Sequence, residues 1–108
     1  MATLVDSGSQ TTSGTTEHTL SSQTTDGTYV LAVDLSTMAL GDIVELSLKT
    51  KIVSGGSLLL AYHATFGPGL PAEPISYSIP VPITEQWVAT LKKAVGSDSA
   101  FPWAVILV

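Results

Sequence analysis

The 108-residue chain contains no cysteine and no arginine. The first absence removes disulfides, thiolate metal ligands and a Cys nucleophile. The second leaves four cations, Lys49, Lys51, Lys92 and Lys93, against a net charge of −5. Binding to nucleic acid or to an anionic membrane surface relies on Lys and Arg neutralising phosphates, so neither is expected as a partner. Long apolar runs are lacking too. The most apolar stretches, Leu58-Leu59-Leu60 and Ala104 to Val108, fall far short of the roughly 20 residues of a spanning helix. The N-terminus shows no basic segment followed by an apolar one, so no signal peptide is expected.

Catalytic signatures are equally scarce. There is no Gly-x-Ser-x-Gly elbow and no Gly-rich phosphate loop. The two histidines, His18 and His63, do not have metal-ligand spacing. Asp34, Ser36 and Asp42 gather oxygens around a turn, but calcium needs six to eight of them. Local turn hydrogen bonding accounts for these residues better. The expectation is a protein that is not an enzyme, with no catalytic residue, no metal site and no cofactor.

What the chain does have is apolar residues, 44% of the total. A small domain has too little interior to hide them all, which points to some facing a partner subunit. Their spacing is that of strands. Val44, Leu46, Leu48, Thr50 and Ile52 alternate with Glu45, Ser47, Lys49 and Lys51, the pattern of a strand with one wet face. Ser54-Gly55-Gly56 reads as a hairpin turn. It leads into Ser57 to Phe66, where Leu58, Leu60, Tyr62, Ala64 and Phe66 share a face.

Tyr29 to Leu35, Ile75 to Val81 and Gln86 to Lys93 alternate similarly, and Phe101 to Val108 is an almost continuous apolar strand. A short helix is the alternative for Gln86 to Lys93. Thr15 to Ser22 is a weaker first strand. Pro80 and Pro82 end their strand or place it at an edge. The proline-rich stretch from Gly67 to Pro74 is a stiff loop.

These segments predict an all-β fold: a single antiparallel β-sandwich or jelly-roll-like barrel with about seven strands. Residues 15–108 form the domain. Residues 1–14, rich in Ser, Thr and Gly, are expected to be a flexible arm. Outward-facing apolar side chains suggest self-association, with a trimer as the first expectation. The interface candidates are Leu4, Val5, Leu59, Trp87, Ile106 and Val108. Trp87 and Trp103, with Tyr62 and Tyr77, could instead build a platform for sugar rings; packing in the core or at a subunit contact is the simpler reading.

Residues Thr25 to Val108 carry a series of turn and strand-end signatures. They are Asp26-Gly27-Thr28-Tyr29 before Val33-Asp34-Leu35, Gly41-Asp42 before Val44-Glu45-Leu46, and Val53-Ser54-Gly55-Gly56. Tyr77-Ser78-Ile79-Pro80-Val81-Pro82 and Phe101-Pro102-Trp103 complete the series. In these the chain resembles small structural proteins encoded in tailed-phage head modules. The resemblance implies a virion structural protein, a capsid decoration or cement protein on the capsid surface. Its partner would be the major capsid protein or another virion protein. Such a protein is made in the host cytoplasm and released by lysis, with no need for a signal peptide. The alternative expectation is a carbohydrate- or receptor-binding β-sandwich module of a phage tail or fibre.

Overall fold

A computed structural model describes residues 2–68 and 73–108. Among the described residues nine strands account for the secondary structure: β1 (Thr3–Thr11), β2 (Glu17–Gln23), β3 (Gly27–Asp34), β4 (Ile43–Lys51), β5 (Leu59–Phe66), β6 (Ile75–Tyr77), β7 (Val81–Ile83), β8 (Gln86–Val95) and β9 (Ala100–Leu107). They build two sheets. Sheet A has the order β1-β9-β3-β6, with β7 also pairing β3; sheet B has the order β2-β8-β4-β5. All the pairings are antiparallel. This is a β-sandwich, and its strand order is that of a jelly roll, in which nearly every connection crosses between the sheets. The expected all-β sandwich is what forms, and Gln86 to Lys93 is strand, not helix.

Period-2 patterning drives the assembly. Tyr29, Leu31 and Val33 of β3 point inward, as do Val44, Leu46 and Leu48 of β4. Trp87, Ala89 and Leu91 of β8 and Phe101 and Val105 of β9 join them, with Leu20, Leu35, Met38, Val81 and Ile83 completing the core. The Tyr29 and Trp87 rings lie 5.6 Å apart between the sheets, tilted by 31°. Burying these faces supplies the main stabilisation, roughly 1.5–3 kcal/mol per large side chain.

Two expectations about strands are corrected. Residues 1–14 were expected to be a free arm, but residues 3–11 are β1, paired with β9 from Thr3↔Leu107 to Thr11↔Ala100. An edge strand needs main-chain partners more than an apolar face, so composition alone hid it. Gly8 contributes by leaving room for the Trp103 ring, which a Cβ would approach to 3.0 Å. Thr12 then anchors the end of β1: its N–H donates to the Ser99 carbonyl at 3.0 Å, and its Oγ1 accepts from the Ser99 N–H at 3.0 Å. The sandwich therefore begins at residue 3 rather than 15. The strand expected at Ile75 to Val81 is also divided into β6 and β7, with Pro80 between them.

The other sequence features fall where their chemistry places them. Gly55 (φ +80°) sits in the β4–β5 turn, where the Gly56 N–H donates to the Val53 carbonyl. Asp34 Oδ1 accepts from the Ser36 N–H, and Asp42 accepts from the N–H groups of Ala39 and Ser97. These are turn and corner bonds, as expected. Of the proline-rich loop, Gly69 to Ala72 lies outside the described residues.

Candidate functional site

The two sheets differ in chemistry on their outer faces, sheet B being charged and polar over two of its rows and carrying Val88 and Leu60 in the row beside Lys49. On sheet B the register sets Glu17, Lys92, Glu45 and Thr65 in one row. The next row is Thr19, Thr90, Ser47 and His63. Opposite charges meet across strands: Lys92 Nζ is 4.0 Å from Glu45 Oε2, and Lys49 Nζ is 3.4 Å from Glu17 Oε1. The Thr90 hydroxyl donates to Glu17 Oε2 at 2.7 Å. That bond, with Lys49 close by, holds the Glu17 carboxyl below the usual carboxylate range. A shallow depression of about 190 Å³ opens among Thr15, Glu17, Glu45, Ser47, His63 and Lys92.

This depression brings together residues that sequence spacing did not connect. His63 Nε2 lies 3.1 Å from Glu45 Oε1, and Ser47 stands directly across from His63. Serine, histidine and a carboxylate on one surface invite comparison with a nucleophilic triad. Triad chemistry also requires a base touching the nucleophile and free N–H donors for an oxyanion. Among the described residues no hydrogen bond joins Ser47 to His63. Ser47 is also in the middle of β4, whose neighbours β5 and β8 take up its main-chain groups. The arrangement is an ion-paired sheet surface.

The outer face of sheet A is apolar. One row consists of Leu4, Ile106 and Val30, and the next of Ser7, Ala104, Ala32 and Tyr77. Ile75 and Pro102 border a second depression, about 210 Å³, beside Ala32 and Ala104. Pro82 lies opposite Thr28 at the far end. Leu4 is 62% exposed and Tyr77 64%. Among the described residues of these strands, Asp34 is the charged side chain in this region, at the rim of the depression. Its carboxyl is held below the ordinary range by the Ser36 side chain and N–H.

The interface candidates separate accordingly. Leu4 and Ile106 are neighbours in one row, and Val5 sits at the bulge beside them. Val108 continues past the end of β9, its N–H bonded to the Thr28 carbonyl at 2.9 Å. Leu59 is exposed, but on sheet B, far from this group in the strand order. Trp87 is overturned as an interface residue: it is fully buried against Tyr29. Its strand alternates in step with the core, so its ring faces inward. The sugar platform loses this ring as well. Trp103 also packs partly against the core.

Sequence reading missed Val30 and Ala32 as residues of this outer face. The signal was the even-numbered half of the Thr28, Val30, Ala32, Asp34 alternation, which is apolar where a solvent-facing strand is usually polar. Among the described residues no group of three or more His, Asp and Glu could hold a metal ion. No family model, curated protein or solved structure matches the chain.

Proposed function

We propose that the protein is a non-enzymatic virion structural protein that decorates a phage head. It attaches to the major capsid protein, or to another shell protein, through the outer face of sheet A. The observation that carries this reading is the contrast between the two outer faces. Jelly rolls serve in both capsids and lectins, and a fold does not fix a function. The chemistry of the face is more selective. Leu4, Val30, Ile106 and Tyr77 form a continuous apolar surface across four strands, the kind of patch that marks a protein contact. The charged outer face of sheet B suits the solvent side.

Each copy then needs only modest affinity, because attachments repeated over a lattice reinforce one another when copies touch. The receptor-binding alternative requires exposed aromatic rings in a group. With Trp87 buried and Trp103 packed partly against the core, Tyr77 is left as the exposed ring on the outer face of sheet A, which is a weaker basis. Mass spectrometry of purified particles tests the proposal, together with incorporation of Ile106→Lys. Wild type should be present at many copies and the variant depleted. Absence of the wild-type protein from the particle refutes the reading.

A further inference from the structure

Among the described residues the sandwich leaves four strand edges, and three of them are guarded. On sheet A, β6 and β7 are short and are flanked or interrupted by Pro74, Pro80 and Pro82, which cannot donate to a new ladder. The other edge of that sheet, β1, has a bulge at Val5 followed by the charged Asp6. On sheet B, β2 carries Glu17 and a bulge at Leu20. The fourth edge, β5, differs. Its eight residues, Leu59 to Phe66, include no Asp, Glu, Lys, Arg or Pro. Its bulge, at Ala61, lies near one end and leaves Tyr62 to Phe66 in unbroken register with β4. Such an edge is a template for another strand.

We infer that β5 pairs antiparallel with β5 of a second copy, joining two B sheets across a two-fold axis. A second copy is the fitting occupant because the edge is complementary to itself. No like charges meet, and among the described residues both copies offer the same main-chain groups left unpaired on the side away from β4. The pleat fixes the register. Side chains on one face must stay on one face, so residues of the same parity oppose each other. The register that uses the whole straight stretch sets Ala64 opposite Ala64, His63 opposite Thr65, and Tyr62 opposite Phe66. Tyr62 and Phe66 are half-buried aromatics already packed on the core. Placed opposite one another they continue that core into the second copy and cover each other's exposed edges. The pairing holds whether or not the protein belongs to a virion, and it leaves the outer face of sheet A free.

Sedimentation of the full chain at micromolar concentration tests this. The expected species has twice the 11.2 kDa monomer mass. His63→Lys/Thr65→Lys changes two exposed positions and would bring lysines together across the axis. It should weaken the dimer at least about tenfold while leaving the β-type circular dichroism spectrum intact. Since the chain lacks cysteine, Ala64→Cys supplies a unique thiol. Directly opposed strand residues lie about 4.5–5.5 Å apart, within disulfide reach, so mild oxidation should link two chains. Ser7→Cys on β1 should not do so. A monomer, a trimer, a dimer unaffected by the double lysine variant, or equal cross-linking at Ser7 and Ala64 would each overturn the pairing.

Discussion

Adjacent residues of β9 should respond to the same substitution in opposite ways. Val105 has no exposed surface, while Ile106 faces outward between Leu4 and Val30. Val105→Lys puts an unpaired ammonium into the core, a change costing several kcal/mol even after relaxation. A domain of this size holds roughly 5–15 kcal/mol in total, so this variant should be unfolded or close to it. Ile106→Lys loses two apolar cross-strand contacts, each worth about 0.2–1 kcal/mol. Its charge reaches water along a flexible stem. The resulting loss of about 0.4–2 kcal/mol lowers the melting temperature by roughly 2–16 °C, at about 4–8 °C per kcal/mol. Thermal melts followed by circular dichroism give the comparison directly. If Ile106→Lys unfolds the chain and Val105→Lys does not, the assignment of the two faces of sheet A is wrong.

Trp87→Ala should cost about 3–5 kcal/mol as a large buried ring is lost, measurable by urea titration; a neutral result would remove Trp87 from the core. Deleting residues 2–11 removes β1 and uncovers Trp103, so the melting temperature should fall by about 8 °C or more, corresponding to about 2 kcal/mol. An unchanged melting temperature would restore the free-arm reading. Asp98 accepts from the buried Lys93 Nζ at 2.6 Å, and this pairing holds the Asp98 carboxyl below its ordinary range. A depressed folded value means that the unfolded chain binds the proton more readily. The stabilisation is therefore present at neutral pH and is lost as pH falls below about 4. Asp98→Asn should be less stable at pH 7 and show a flatter acid limb in pH-dependent melts; an acid limb like that of wild type would argue against the pair. Gly96 has φ +112°, and a Cβ there would strike the Asp42 carboxylate. Gly96→Ala should therefore destabilise the chain in the same melts, and an unaffected melting temperature would contradict that corner's geometry.

Most of the strands were legible in the sequence because burial imposes a period of two. The alternation from Val44 to Lys51 and the Gly55 turn marked a strand and its hairpin directly. β1 was not legible: its Ser/Thr-rich residues are held by main-chain pairing and by Thr12, and hydropathy carries no trace of either. The register of β5 was only partly legible. The bulge at Ala61 changes parity, so Leu60 pairs with Lys49 and departs from the face shared by Tyr62, Ala64 and Phe66. The apolar outer face was anticipated through Leu4, Ile106 and Val108, but its extent depends on which strands are neighbours. Val30 meets Ile106, and Tyr77 meets Ala32, through pairings 76 and 45 residues apart in the chain. Trp87 was misjudged because an apolar strand neighbourhood looks the same whether it faces a core or a partner.

The most direct test of the docking surface is a cryo-electron microscopy map of intact phage particles, at a resolution that places individual strands. The account predicts a jelly roll on the head with Leu4, Val30, Tyr77 and Ile106 against the shell and the Glu17–Lys92–Glu45 row facing solvent. A domain seated by its charged sheet, or particles that lack it altogether, would contradict the account.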